Sequence, residues 1–171
     1  STVAALNASP ATITVDLEPY ALSGDDLVWL LFQVLYDSSS IAYVPLLIDS
    51  ASRGDLTVHA RILGDLLAFD ADFSDGMHLS VECADELPFS AYGTPDPAVD
   101  VLYSRTFESS SYDSRCTVWD VPASPPIENA PVSTAIPTLT IAGGFDPITP
   151  PEYADLVMAS LSNGSRAFFP N

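Results

Sequence analysis

Between Ile136 and Glu152 an aliphatic run, Ile136-Pro137-Thr138-Leu139-Thr140-Ile141-Ala142, ends in Gly143-Gly144, presents Asp146 and then reads as the start of a helix. No other stretch constrains the fold as strongly. In open α/β sheets the carboxyl edge of the strands is where chemistry is placed, so Asp146 is the first candidate for a catalytic group. Thr149 reads as an N-cap, Glu152 completes a capping box, and Pro150 suits the first helical position. Tyr153, Leu156, Val157 and Leu161 follow at helical spacing until Asn163-Gly164 ends the helix, and Ala167-Phe168-Phe169 reads as another buried strand. Strand, Asp-bearing loop, helix, strand is half of a doubly wound sheet. An aspartate before proline in a glycine-rich loop is also an ordinary turn former, and the motif alone leaves both roles open.

Composition excludes several function classes. With five Lys plus Arg against 23 Asp plus Glu, the 171-residue chain carries a formal charge of −18, which repels phosphate backbones and excludes nucleic acid as a partner. An apolar content of 47% supports one core and a smaller lobe, not a disordered chain. No apolar stretch approaches the roughly 18 residues of a membrane span. The acidic balance fits a secreted or salt-tolerant protein, with most carboxylates serving as solvated surface. Ser1 opens neither a basic nor an apolar leader, so no signal peptide is visible. Neither a phosphate-binding glycine loop nor an internal repeat is present, and no cofactor is implied.

Organisation changes near residue 76. Thr12 to Leu17 alternates as a half-exposed strand, and Glu18-Pro19-Tyr20 turns it toward a partner before Ser23. Ser23, with Asp26 three residues on, caps a helix whose apolar stripe runs through Leu27, Leu30, Leu31, Val34 and Leu35. A second helix is predicted from about Pro45 to before Gly54, and a third from Asp55 to about Phe69. Residues 70–76 fail the EF-hand pattern, because the glycine is displaced and Val81 stands where the bidentate glutamate belongs. They read as an acidic connector. From Pro88 to Pro131 the chain is rich in Pro, Ser, Tyr and Asp; only Asp100 to Tyr112 is predicted helical, with Phe107 and Trp119 as buried anchors. The Asn163-Gly164-Ser165 sequon reads as a helix-end turn. Two cysteines and two histidines make no zinc spacing. Cys83 and Cys116 are either free buried thiols or one bridge.

The string Gly143-Gly144-Phe145-Asp146-Pro147-Ile148-Thr149-Pro150-Pro151-Glu152, with Phe168-Phe169-Pro170-Asn171 beyond the helix, resembles the triad-acid region of α/β-hydrolases. Within that superfamily it is most similar to the secreted proline iminopeptidase and tripeptidyl aminopeptidase branch. Gly76 to Asp85 resembles the strand that follows the cap in that branch, and Cys116-Thr117-Val118-Trp119 its later Cys-x-x-Trp. The resemblance therefore implies an α/β fold. Residues 1–75 would form a helical cap with a small amino-terminal hairpin, and residues 76–171 the carboxyl-side core, with parallel strands near Leu79–Cys83, Thr138–Ala142 and Arg166–Phe169. It also implies an exported or cell-envelope location and a Cys83–Cys116 disulfide.

The resemblance implies a serine hydrolase that acts on free peptide amino termini, with Asp146 as the triad acid. An esterase or related hydrolase, and a binding module without a nucleophile, are the alternatives. No Gly-x-Ser-x-Gly elbow occurs here: Ser165 lacks a preceding strand and Ser74 lacks the first glycine. The serine and histidine are expected outside these residues, with the missing amino-terminal half of the hydrolase as the obligatory partner of an otherwise exposed sheet edge. His59 shares a helix face with Ile62, Leu63 and Leu66 and reads as a packing residue. His78 reads as the start of a strand, facing away from the apolar set. For a substrate ammonium, Asp85 and Glu86 are the candidates, since a strand ending at Cys83 would bring them to the same sheet edge as Asp146.

Overall fold

A computed structural model describes residues 1–70, 73–90 and 110–170. The chain divides into two compact units, residues 1–31 with 45–128 and residues 32–44 with 129–171. The division between units thus falls after Glu128, with residues 76–90 and the segment to 128 grouped with the amino-terminal helices.

The described part of the first unit opens with a short helix and a hairpin, and further helices follow. A short helix α1 (Thr2–Ala8) precedes β1 (Ala11–Val15) and β2 (Glu18–Leu22), which pair antiparallel with Ile13 opposite Tyr20. Alternation places Ile13 and Val15 in the core and Thr12 and Thr14 outside. Helix α2 (Gly24–Val34) starts at a complete capping box: the Ser23 hydroxyl accepts the Asp26 amide at 3.1 Å, and the Asp26 carboxylate accepts the Ser23 amide at 2.7 Å. Asn7 clamps this start to α1 by accepting the Asp25 amide at 3.0 Å and donating to the Asp25 carboxylate at 2.8 Å. Helices α3 (Val44–Ser52) and α4 (Thr57–Asp70) complete the lobe. Leu22, Leu30, Leu47 and Leu63 are buried at its centre.

Beyond this lobe the sequence reading fails at one element. Residues 79–83 are not a strand: α5 (Asp75–Val81) continues into a π-helical turn at Glu82–Glu86. Met77, Leu79, Val81 and Cys83 alternate as a strand would, but the local hydrogen bonds are helical, with the Ser80 hydroxyl donating to the Gly76 carbonyl at 2.7 Å. Tertiary ties hold that choice. A disulfide joins Cys83 to Cys116 on α6 (Ser110–Trp119), and the Trp119 indole N–H donates to the Ser80 hydroxyl at 3.0 Å. Pairing with a neighbouring helix here outweighs a modest β-propensity. Helix α6 runs past the predicted end at Tyr112 to Trp119, while residues 100–109 of the predicted helix, with Phe107, lie outside the described residues. Trp119 is 44% exposed and so packs at a margin, not as a buried plug.

In the second unit β3 (Thr138–Gly143) and β4 (Gly164–Phe169) pair in parallel, from Thr138 opposite Gly164 to Gly143 opposite Phe169. Helix α7 (Pro151–Met158) makes the crossover and packs on both strands. Arg166 on β4 forms an ion pair with Asp155 on α7, and its guanidinium lies 5.6 Å from the Phe168 ring centroid. These two strands are the parallel pair expected from the sequence.

Candidate active site

Asp146 sits just past the carboxyl end of β3. Gly144 donates its amide to the Phe169 carbonyl at 2.7 Å, and a Cβ there would come within 2.9 Å of the Pro170 carbonyl oxygen. Only glycine lets the loop leave the sheet this close to β4. The chain then turns so that the Asp146 carboxylate folds forward. Its Oδ1 accepts the Ile148 amide at 2.9 Å and the Thr149 amide at 2.8 Å, and Oδ2 accepts the Thr149 hydroxyl at 2.6 Å. The Thr149 hydroxyl, then its amide and that of Ile148, hold the carboxyl below the usual carboxylate range.

This geometry corrects the expected capping box. Helix α7 begins at Pro151 with Pro150 in the cap position and no side-chain cap, and the Thr149 hydroxyl donates to Asp146. The same bonds make Asp146 a turn former and a fixed anion at once. An ionised carboxylate has about four acceptor sites. Three are occupied by the donors above, leaving an acceptor position on Oδ2 that suits an imidazole N–H.

A cavity of 500 Å³ adjoins the loop, walled by Gly143 to Thr149 and by Leu35, Tyr36 and Ser38. Burial, and then the negative charge of Asp146, push the Tyr36 phenol above its ordinary pKa. The turn that carries Tyr36 and Ser38 is tied by Asp37. Its carboxylate accepts the Ser39 amide at 3.0 Å and the Ser40 hydroxyl at 2.8 Å. The sequence reading missed Tyr36. Its signal was slight: an aromatic at the end of an apolar helix, just before the Asp37-Ser38-Ser39-Ser40 turn.

The other candidates lie in the first unit. Asp85 and Glu86 end the π-helical turn, both exposed, and Asp85 accepts a hydrogen bond from the Ser124 hydroxyl. The strand that was to bring them to the sheet edge is absent, so that reason for a role in substrate recognition is withdrawn. The Cys83 and Cys116 Cα atoms are 5.4 Å apart across the disulfide. His78 lies on α5, its ring edge-on to Phe73 at 5.3 Å, so the strand position expected for it is also corrected. His59 is fully buried on α4, and neither ring nitrogen meets a hydrogen-bond partner; the Leu47 carbonyl is close but outside bonding geometry. Burial pushes its pKa down, against smaller opposing effects of that carbonyl and Asp55. Among the described residues no group of three His, Cys, Asp or Glu is placed to hold a metal ion, and no helix is long and apolar enough to cross a membrane.

Residues 101–169, which include Asp146, β3, α7 and β4, match the model of the family described as TAP-like protein, whose members are α/β-hydrolases. This carboxyl-side region is TAP-like. Neither a curated protein nor a solved structure matches the chain. The TAP-like region covers less than half of the chain, and the parallel β3–α7–β4 unit with its Asp-bearing loop lies inside it.

Proposed function

We propose that this chain supplies the acid-bearing part of a serine hydrolase that removes residues from free peptide amino termini. The observation that carries the reading is the Asp146 carboxylate, held ionised at the carboxyl end of β3 with an acceptor position open, within a TAP-like region. In this role Asp146 orients a histidine, fixes its tautomer and stabilises the imidazolium that forms as serine is deprotonated, without itself taking the proton. The serine and histidine come from residues outside these 171.

The second unit supports that division of labour. Parallel strands are ordinarily covered on both faces, yet Leu139 is 60% and Ile141 66% exposed on β3, and Leu156 is 72% exposed on α7. Further strands and helices of the same hydrolase would cover them. Residues 1–75 act as its cap. An exported location belongs to the same reading and is supported by the Cys83–Cys116 disulfide, since such bonds persist in oxidising compartments.

The test uses the complete polypeptide. A serine-directed fluorophosphonate probe should label it, and aminoacyl anilides with a free amine should be hydrolysed faster than amino-blocked anilides or simple esters. Labelling with faster ester turnover would make it an esterase on the same scaffold. Absence of both labelling and turnover would make it a binding module.

A further inference from the structure

The Asn163-Gly164-Ser165 string is not the helix-end turn that its sequence suggests. Helix α7 ends at Met158, and Gly164 opens β4, paired opposite Thr138. A glycine that stops a helix commonly takes a positive φ, and among the described glycines Gly54 alone does so. Gly164 has a packing reason instead: a Cβ there would come within 2.8 Å of the Met158 side chain. That reason does not reach its two neighbours. The Asn163 carbonyl accepts the Thr138 amide at 3.2 Å, which fixes the main chain, but its side chain is exposed and makes one long bond, from Nδ2 to the Ala135 carbonyl at 3.4 Å. Ser165 is also exposed, and its hydroxyl has no partner among the described residues.

A carboxamide and a hydroxyl two residues apart, across a residue other than proline, form the acceptor pattern for N-linked glycosylation. The chain holds this pattern twice. In Asn7-Ala8-Ser9 the carboxamide is committed to the fold: it is half-buried, bonded to Asp25 through both Oδ1 and Nδ2, and a Cβ on Gly24 would lie 2.9 Å from its Oδ1. A saccharide there would have to enter the junction of α1 and α2. At Asn163 the Nδ2 atom carries two protons, so it keeps one for the Ala135 carbonyl after the other is replaced.

The place in the sheet also suits a bulky group. The six residues of β4, at about 3.3 Å each, separate Asn163 by about 20 Å from the carboxyl edge that carries Asp146. Further strands pair along the sides of a parallel sheet and helices cover its faces, so its amino-terminal edge stays open as the sheet is completed.

We propose that Asn163 carries an N-linked oligosaccharide. Its Nδ2 bonds to the anomeric carbon of an oligosaccharide borne on a lipid diphosphate; the bond from that carbon to the diphosphate oxygen breaks, the lipid diphosphate leaves, and Nδ2 gives up one proton. The Cys83–Cys116 disulfide is the independent sign of an oxidising, exported route. The proposal rests on the exported location given above and not on the hydrolase activity.

The experiment recovers the complete polypeptide separately from the medium and from the interior of the cells that make it. Its proteolytic peptides are compared by mass before and after peptide-N-glycosidase, which leaves aspartate where a glycan stood. A hexose-containing mass on Asn163, and none on Asn7, is expected in the exported protein. Asn163→Gln and Ser165→Ala should each abolish it, while Ser165→Thr should retain it. Ser165→Ala leaves the Asn163 side chain in place, so loss there reports the acceptor pattern and not the turn. Exported, disulfide-bonded protein with Asn163 bare overturns the proposal and leaves the exported location standing. Protein found only inside the cells, with both thiols free, overturns the two together.

Discussion

Asp146 and Thr149 are joined twice: the Thr149 hydroxyl donates to Oδ2 at 2.6 Å, and the Thr149 amide donates to Oδ1 at 2.8 Å. One residue thus fixes both the position and the charge state of the carboxylate. Thr149→Val keeps the shape and the amide bond but removes the hydroxyl. In the complete enzyme kcat/KM should fall about tenfold, the scale of one charge-assisted hydrogen bond. The hydroxyl lowers the Asp146 pKa, so its loss should move the acid limb of the pH–rate profile toward higher pH. Thr149→Ser should restore both. An unshifted profile with reduced turnover would mean that Thr149 serves only the loop.

Asp146→Asn retains one acceptor oxygen and the approximate turn, but not the negative charge. Turnover should drop by roughly 10⁴-fold, the scale of a triad histidine left in the wrong tautomer. Thermal denaturation and circular dichroism of the variant should stay close to wild type. Full activity would leave Asp146 with the turn-forming role alone.

His59 is buried without a partner for either ring nitrogen, and burial depresses its pKa. The unfolded chain therefore binds a proton at higher pH than the folded one. Stability attributable to this residue is complete above the unfolded value near 6.5 and declines as pH falls through the folded value. His59→Leu should remove that decline, and should stabilise the first unit at neutral pH by about 1–3 kcal/mol, the cost of an unsatisfied buried polar group. Urea midpoints from pH 5 to 8 for the two proteins decide it, parallel curves counting against the assignment.

Reduction of Cys83–Cys116 opens a loop spanning a sequence separation of 33. On the chain-entropy scale the loss is about 3–4 kcal/mol. Unfolding monitored through Trp119 fluorescence, with and without dithiothreitol, should show a correspondingly lower urea midpoint, while the Cys83→Ser, Cys116→Ser protein should be insensitive to reductant.

What could be read from the sequence followed the strength of local signals. Ser23 and Asp26 define a helix start by their own hydrogen bonds, and the Gly143-Gly144-Asp146 loop separates a strand from a helix by chemistry that needs no distant partner. Residues 79–83 carried a period-2 pattern that the helical contacts of α6 overruled, information held in the Cys83–Cys116 and Ser80–Trp119 pairings and not in the segment itself. The reason for placing Asp85 near Asp146 went with that strand. Tyr36 was missed for a related reason, since only folding brings the turn at Leu35, Tyr36 and Ser38 to the Asp146 loop. Thr149 was expected to cap the helix, but the helix starts two residues later, at Pro151, and Thr149 instead donates to Asp146.

The hairpin turn offers a test free of these long-range effects. Asp16 and Leu17 both have positive φ, 47° and 72°, as a two-residue turn matching the strand twist demands. Aspartate tolerates that conformation; leucine does so at a cost of about 1–2 kcal/mol. Leu17 is 92% exposed, so its side chain contributes little packing to offset the strain. Leu17→Gly should relieve it, less about 0.5–1 kcal/mol for the added freedom of the unfolded chain. The net expectation is stabilisation of up to about 1.5 kcal/mol, with an unchanged m-value in urea because the buried surface is the same. Leu17→Ile, branched at Cβ, should shift the midpoint the other way. If glycine lowered the midpoint instead, Leu17 would have to be packing against something that its exposure denies.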